Sequence, residues 1–284
     1  SGREISMKTR NLIVLALLSG LVSCATASVG RDLTIIHFND THSHLEPERA
    51  GKSAGRGGVI ERAALVDSVR NAVGRRNFLL LHAGDFNQGT SYYTTLGGML
   101  EVGLVNALGY DVITLGNHEF DDGIEHLGRR LAGLKCPVVC SNYDFSQFEL
   151  GKYVKPYVVL KRGGMRIGIF GMLTDITKVV ERTIADRLPK FDDVETANRW
   201  ASYLKNEKKC DIVIALTHLG LENEDFMDQD LVRATRNIDL VVGGHSHTFI
   251  KDIVYENNID GKPVPIVQNG CWGLDTAELS IEKK

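Results

Sequence analysis

Residues 109–121 read GYDVITLGNHEFD, an apolar run that passes directly into a polar turn. The run at 111–115 shows no alternation of apolar and polar residues after its first position. A short continuous apolar run of this kind predicts a β-strand that is buried on both faces. Ligands of open α/β sheets bind beyond the carboxyl ends of the strands. This stretch therefore predicts an α/β fold with a functional site at the end of the strand.

The same pattern recurs along the chain. Further apolar runs predict buried strands at 33–38, 78–83, 167–172, 211–217 and 238–242. Apolar residues at helical spacing lie between them and predict helices at 59–73, 93–108 and 194–209. A hairpin is expected between 157–160 and 165–170, and a second antiparallel pair between 264–267 and 277–281. The alternation of strands and helices predicts one α/β domain with a mixed sheet.

The composition excludes several classes of protein. Of 284 residues, 43% are hydrophobic and 24% are charged, and the net charge is -3. These values are typical of a globular chain and exclude a disordered one. No basic excess marks a nucleic-acid-binding surface, so we expect no nucleic-acid partner. Five cysteines are too few for a disulfide-stapled small domain, although the pairing of Cys210 with Cys271 stays open.

The residues that follow five of the predicted strands are Asp, Asn and His. The set comprises Asp40, His42, Asp85, Asn117, His218, His245 and His247. In an extended segment, residues two positions apart point to the same side, so Asp40 pairs with His42 and His245 with His247. These residue types at this spacing are typical of a metal site. The sequence therefore predicts a metal centre that five strand ends build together.

Four other histidines are interpreted as structural or left open. His37 and His82 lie within strand runs, where we expect packed or hydrogen-bonded side chains. His126 lies on a segment that is interpreted as helical and is expected at the surface. The role of His44 stays open because it lies close to the predicted ligands.

Taken together, these motifs resemble those of the calcineurin-like metallophosphoesterases. The strings IIHFNDTH at 35–42, GYDVITLGNHEFD at 109–121 and VVGGHSH at 241–247 are similar to the catalytic domain of the 5′-nucleotidase branch. The resemblance covers about residues 32–284. It implies a four-layer α/β/β/α sandwich with mixed sheets, and a metal-dependent hydrolase of small phosphate monoesters, nucleotides among them.

The resemblance also implies how two divalent cations are held. The first cation would be bound by Asp40, His42, Asp85 and His247. The second would be bound by Asp85, Asn117, His218 and His245, so that Asp85 bridges the pair. Mixed imidazole and oxygen ligands suit Mn, Fe or Zn better than Ca or Mg. A hydroxide that bridges the two metals would attack phosphorus.

Two further residues of the same motif have implied catalytic roles. In the family, the histidine at the position of His118 contacts phosphate and assists the departure of the leaving oxygen. Asp121, three residues further on, would orient the His118 ring and keep it cationic.

The N-terminal residues are typical of an export signal. Lys8 and Arg10 precede an apolar run at 12–22, which is too short to span a bilayer but suits a signal peptide. The run ends in Leu-Val-Ser-Cys, which resembles a bacterial lipobox with Cys24 as the lipidated residue. We expect an extension and lipoprotein signal peptide at 1–23, a linker at 24–31 and a metallophosphoesterase domain at 32–284. The protein would then be a periplasmic or cell-surface lipoprotein of a bacterium, and an ordinary signal peptide cleaved near 25–28 is the alternative.

The sequence leaves three functions open. The first is an exported 5′-nucleotidase-like phosphomonoesterase, and the second is a phosphodiesterase that acts on cyclic nucleotides through the same metals. The third is a non-catalytic metal-binding subunit of a split nucleotidase, which His118 and Asp121 argue against because metal binding alone does not need them. Full-length 5′-nucleotidases carry a second, nucleoside-binding domain, and this sequence ends at Lys284. We therefore expect little base preference, or a separate polypeptide that supplies nucleoside recognition.

Overall fold

Seven strands form the first of two β-sheets in the computed structural model, which describes residues 3–11 and 32–283. They are β1 (Arg3–Asn11), β2 (Leu33–Phe38), β3 (Phe78–His82), β4 (Val112–Thr114), β5 (Val138–Val139), β6 (Val154–Lys155) and β13 (Asp275–Lys283). Their order across the sheet is β1-β13-β2-β3-β4-β5-β6. Strands β2 to β6 run parallel, whereas β13 is antiparallel to both of its neighbours.

Six strands form the second sheet. They are β7 (Tyr157–Arg162), β8 (Met165–Leu173), β9 (Ile212–His218), β10 (Leu240–Val242), β11 (Val254–Asn257) and β12 (Pro263–Val267). Their order is β11-β12-β10-β9-β8-β7. The central strands β8, β9, β10 and β12 are parallel, and an antiparallel strand closes each edge. Both sheets are therefore mixed.

Helices cover the outer face of each sheet. They are α1 (Val59–Val73), α2 (Ser91–Leu96), α3 (Met99–Leu108), α4 (Ile124–Ala132), α5 (Arg182–Ala185), α6 (Asp193–Ser202) and α7 (Asp228–Ala234). Helices α1, α3 and α4 pack on the first sheet, and α6 and α7 pack on the second. No helix among the described residues has the length and apolar content needed to cross a membrane.

The central strands are buried on both faces, which explains why their sequences do not alternate. In β3, Leu79 and Leu81 face the core between the sheets, whereas Leu80 faces the helices outside the first sheet. All three side chains are fully buried, and burial of one leucine stabilises the fold by about 1.5–3 kcal/mol. The resulting three cores separate four layers, so the predicted α/β/β/α sandwich is confirmed.

The predicted antiparallel pair of 264–267 with 277–281 is wrong. Strand β12 lies in the second sheet beside β10 and β11, whereas β13 lies in the first sheet between β1 and β2. The chain crosses between the sheets at 268–274, where the Asn269 side chain donates to the carbonyl of His37 at 2.7 Å. Both segments carry a strand pattern, but the pattern does not record which sheet a strand joins. The hairpin of 157–160 with 165–170 is confirmed as the pair of β7 with β8.

Two predicted helices are shorter than expected. The helix expected at 93–108 is broken into α2 and α3 by Gly97 and Gly98, whose φ angles of 62° and 80° are left-handed. The helix expected at 194–209 is regular only as α6 and then continues as a π-helical turn at Tyr203–Glu207. Apolar periodicity continues through such interruptions, so it overestimates helix length.

Part of the expected leader has a defined structure. Residues Arg3–Asn11 form β1, which pairs with β13 at the edge of the first sheet. Residues 12–31, which contain the apolar run, Cys24 and the linker, lie outside the described residues, so the division of the chain at residues 24 and 32 stays a prediction. The cysteines of the described part, Cys136, Cys140, Cys210 and Cys271, form no disulfide.

Candidate metal centre

The predicted ligands all lie at the carboxyl ends of parallel strands. Asp40 and His42 follow β2, Asp85 follows β3, and Asn117 follows β4 in the first sheet. In the second sheet, His218 is the last residue of β9, and His245 and His247 follow β10. Because the carboxyl ends of both sets of strands meet at one end of the sandwich, side chains distant in sequence come together there.

The backbone at this end of the sandwich adopts conformations that non-glycine residues rarely occupy. The φ angles are positive at five of the seven predicted ligands, Asp40, His42, Asp85, His245 and His247. Each such residue costs about 1–3 kcal/mol, and such strain concentrates at functional sites. The tight turns place the side chains at the centre of the cluster instead of continuing the strands.

Asp40, His42 and His247 form the first ligand group. The Nε2 atoms of His42 and His247 lie 3.1 Å apart, and Nε2 of His247 lies 3.3 Å from Oδ1 of Asp40. The Asp40 carboxylate also accepts the backbone N–H of His245 at 3.0 Å, which joins the end of β2 to the end of β10. Two imidazole nitrogens that face each other beside a buried carboxylate form a donor set suited to a divalent cation.

Asp85, His218 and His245 form the second group. Nε2 of His218 lies 3.0 Å from Oδ2 of Asp85. The Nδ1 atom of His218 donates to the carbonyl of Ala83 at 2.7 Å, because a carbonyl can only accept. This bond fixes the tautomer and leaves Nε2 as the ligand atom.

Asp85 lies between the two groups. Its Oδ2 atom is 3.0 Å from Nε2 of His218 and 3.8 Å from Nε2 of His42, which belongs to the other group. Its Oδ1 atom accepts the backbone N–H of His118 at 2.9 Å. The carboxylate is therefore positioned to touch a cation in either group.

Asn117 directly precedes His118, whose backbone N–H bonds Asp85. The Asn117 side chain is 3% exposed, and its Oδ1 atom has no hydrogen-bond partner within the described part of the chain. Buried polar atoms are nearly always paired, so this oxygen fits a centre that is completed by a cation.

The electrostatics of the cluster also favour cations. Burial alone would raise the pKa values of Asp40 and Asp85, but the charge of His218 holds both below their usual range. Burial opposes protonation of His218, yet Asp85 and Asp40 raise its pKa to about 10. Positive charge thus stabilises the two buried carboxylates. A divalent cation would supply this charge and displace protons from the imidazoles.

His118 and Asp121 lie beside the two groups. Nδ1 of His118 lies 2.8 Å from Oδ2 of Asp121, and the His118 and His42 ring centroids are 5.2 Å apart. The hydrogen bond to Asp121 raises the pKa of His118 above its ordinary value. The side chain is 33% exposed, so its Nε2 edge can reach a bound molecule.

Sequence reasoning missed Glu119, which fixes two ligand loops. Its buried carboxylate accepts the backbone N–H groups of Asp85 at 2.8 Å and Gly116 at 2.6 Å. It also accepts those of Phe86 at 3.0 Å and Asn87 at 3.2 Å. The only signal in the sequence was an acidic residue inside an otherwise assigned motif.

The remaining histidines follow the predictions made for them. His37 and His82 are buried in strands, and His126 is exposed on α4. His44, whose role the sequence leaves open, stacks on Trp272 with ring centroids 4.6 Å apart, and its Nδ1 atom bonds Glu48 at 2.7 Å. Its ring is therefore already engaged outside the two ligand groups.

Comparison with known proteins identifies relatives of this arrangement. The sequence profile of the calcineurin-like phosphoesterases matches residues 33–249. A probable 5′-nucleotidase of Treponema pallidum (strain Nichols) is 37% identical over 271 residues, which cover 88% of this chain and 45% of that protein. A snake venom 5′-nucleotidase of Gloydius brevicauda is 32% identical over 94% of this chain and 48% of its own length.

A solved structure is similar over the same region. The 5′-nucleotidase precursor from Thermus thermophilus superposes with a TM-score of 0.76 and 34% identity, over 85% of this chain and 49% of that one. The present chain thus spans about half the length of the relatives it matches.

Proposed function

The chain belongs to the calcineurin-like phosphoesterase family, and we propose that it hydrolyses phosphate monoesters of the 5′-nucleotide class. The observation that carries the proposal is the shared position of Asp85 between two buried ligand groups, with His118 beside them. The relatives named 5′-nucleotidase motivate the choice of substrate class.

The two buried groups support the proposed ligand sets. Asp40, His42, Asp85 and His247 would hold one divalent cation, and Asp85, Asn117, His218 and His245 the other. Imidazole and oxygen donors together suit Mn, Fe or Zn. When bound, a pair of such cations neutralises phosphate charge and lowers the pKa of coordinated water, which supplies the nucleophile.

The residues of the chain would do the rest of the chemistry. His118 would contact the phosphate and donate a proton from Nε2 to the leaving oxygen, since its Nδ1 is engaged by Asp121. Asp121 would hold the ring in that orientation and favour its protonated form. The Glu119 carboxylate bonds the backbone of Asp85 and of Gly116, the residue before Asn117. It would therefore keep the loops that carry Asp85 and Asn117 at a fixed separation.

An activity panel tests this proposal. The purified chain, reconstituted with Mn²⁺ or Zn²⁺, would be assayed on AMP, cyclic AMP and nitrophenyl phosphate, with Asp85→Ala purified identically as the control for contaminating phosphatase. Hydrolysis of AMP and nitrophenyl phosphate by the wild type alone supports the proposal. Cleavage of cyclic AMP alone would make the protein a phosphodiesterase, and no cleavage with both cations bound would make it a non-catalytic subunit.

We also propose that the protein is exported and attached to a membrane through Cys24, with 1–23 as signal peptide, 24–31 as linker and 32–284 as the catalytic domain. Support comes from the basic residues, the apolar run and the Leu-Val-Ser-Cys sequence. Stable anchoring needs more than one acyl chain, which bacterial lipoprotein processing supplies. Expressed in a bacterium, the protein should fractionate with membranes and Cys24→Ser should not; a mature soluble protein that begins after Cys24 would contradict this.

We propose that the chain alone has little base selectivity. We expect kcat/KM to differ by less than about tenfold among AMP, GMP, CMP and UMP, which corresponds to about 1.4 kcal/mol of discrimination. A separate nucleoside-recognition polypeptide stays a prediction. Its addition would increase the differences in kcat/KM among the four nucleotides. A strong preference of the chain alone for one nucleotide would contradict both expectations.

A further inference from the structure

Arg130 of α4 is buried beneath the turn that carries His118 and Asp121. Its side chain is 1% exposed and is among the largest fully buried side chains in the described residues. A buried guanidinium strongly destabilises a protein unless its charge is paired and its N–H groups are bonded. The partners of Arg130 therefore show what its burial achieves.

The hydrogen bonds of Arg130 end on the segment that presents the proposed acid. One terminal nitrogen, Nη2, donates to the carbonyl of Glu119 at 2.6 Å. The other, Nη1, donates to Oδ2 of Asp122 at 2.9 Å. Glu119 precedes Asp121 in the chain and Asp122 follows it. The Arg130 side chain therefore holds the backbone before Asp121 and the side chain of the residue after it.

Tyr93 of α2 completes the arrangement. Its hydroxyl accepts from Nη1 of Arg130 at 2.8 Å and donates to the same Asp122 carboxylate. The Arg130 guanidinium carbon lies 5.5 Å from the centroid of the Tyr93 ring. We call Arg130, Tyr93 and Asp122 the Arg130 clamp. It joins α2 and α4 to residues 118–122, which we call the Asp121 turn.

The break between α2 and α3 makes room for the clamp. A Cβ atom at Gly98 would lie 2.6 Å from Cδ of Arg130, which real contacts do not tolerate. Gly98 also has a φ of 80°, which ends the helical path there. Gly98 therefore both interrupts the predicted long helix and leaves space for the Arg130 side chain.

We propose that Arg130 is a positioning residue that sets the orientation of His118 through Asp121. Arg130 fixes the Asp121 turn, and Asp121 bonds Nδ1 of His118 at 2.8 Å. Together these contacts set the direction in which Nε2 of His118 points. A misplacement of about 1 Å of a reacting group lowers rates about a hundredfold. The inference rests on the proposed function for its kinetic part only.

The kinetic test compares substrates with poor and good leaving groups. Arg130→Lys keeps the charge but replaces the two nitrogens that make these bonds with one. Asp122→Asn weakens the clamp at a residue whose side chain is 39% exposed. Both should lower kcat for AMP about tenfold to a hundredfold and change KM and metal content little. The loss should be smaller for nitrophenyl phosphate, whose leaving group needs little acid assistance. In a His118→Asn background neither substitution should lower the rate further, because effects that act through one group are not additive.

A spectroscopic readout keeps the test independent of activity. The His118 ring signal is assigned in a ¹H–¹³C spectrum by its disappearance in His118→Asn. It should shift in Arg130→Lys and in Asp122→Asn, and stay unchanged in Arg129→Lys, the matched control at the exposed neighbouring position on α4. If Arg130→Lys does not fold, Asp122→Asn and Tyr93→Phe carry the test.

The outcomes separate the two claims. A wild type without phosphatase activity contradicts the proposed function, while the ring signal still decides the role of Arg130. Equal losses for both substrates, additive with His118→Asn, would make Arg130 a purely structural residue. An unchanged His118 signal in a folded Arg130→Lys or Asp122→Asn protein would overturn the inference directly.

Discussion

Nδ1 of His118 lies 2.8 Å from Oδ2 of Asp121, and this bond leaves the opposite edge of the imidazole free beside the two ligand groups. The ring is not part of either group of potential ligands. A histidine so placed can act on a substrate without holding a cation. Its role can therefore be separated from metal binding by experiment.

His118→Asn should keep both cations and lower kcat by about 10²–10⁴-fold, the usual contribution of a general acid. The loss should be smaller for nitrophenyl phosphate than for AMP. The measurement is kcat for both substrates beside elemental analysis of each protein, with His126→Asn, an exposed histidine on α4, as the control. Loss of metal from the variant would make His118 a ligand, and equal losses for both substrates would remove the acid role.

Gly116→Ala should disturb the Asp85 carboxylate. A Cβ atom at Gly116 would lie 2.1 Å from Oδ1 of Asp85, although the φ of -105° suits any residue. We expect metal affinity to fall about tenfold or more, as for other changes next to metal ligands, measured by calorimetric titration with Mn²⁺. Gly103→Ala is the control, since nothing lies within 4 Å of its Cβ position. It should bind metal normally and be more stable by about 0.5–1 kcal/mol, and equal metal affinity in both variants would contradict the prediction.

Asp228 should make the protein less stable as the pH rises. Burial raises its pKa to about 7, and Oδ1 accepts from the Thr217 hydroxyl at 2.6 Å. The unfolded chain releases this proton near the ordinary pKa of about 3.9. Stability is thus fully present below that value and falls by at most about 1.4 kcal/mol per pH unit until the pH passes the folded pKa.

Asp228→Asn removes this titration. Urea unfolding of both proteins at pH 5, 6, 7 and 8 should show a stability difference, variant minus wild type, that grows up to about pH 7 and then stays level. A difference that is constant over the whole range would show that Asp228 is ionised in the folded state throughout.

Much of the fold could be predicted from local pattern. The strand at 33–38 matches β2, and the helix at 59–73 matches α1. Both segments are long enough and uniform enough for periodicity to define them. The pairing of 264–267 with 277–281 was wrong because a strand's sequence records its burial, not the sheet that it joins. The break at Gly97 and Gly98 comes from two consecutive glycines with left-handed φ angles, which apolar periodicity does not register.

The candidate ligands could be predicted from the sequence because their residue types and spacing are distinctive. The structure brings six of them into two groups, and the buried side-chain oxygen of Asn117 has no hydrogen-bond partner among the described residues. The residues that support the ligand loops could not be predicted from the sequence. Glu119 and Arg130 act through backbone groups and neighbouring side chains, and such contacts have no sequence spacing of their own.

In the proposed centre, Asp85 serves two cations at once. The most direct measurement is the metal content of the wild type and of Asp85→Ala after reconstitution with Mn²⁺ and removal of free metal. Asp121→Ala, which removes a nearby carboxylate that is not a predicted ligand, is the control and should retain the wild-type content. We predict close to two equivalents in the wild type and a loss of more than one equivalent in Asp85→Ala. A single tightly held equivalent that is unaffected by Asp85→Ala would contradict the account.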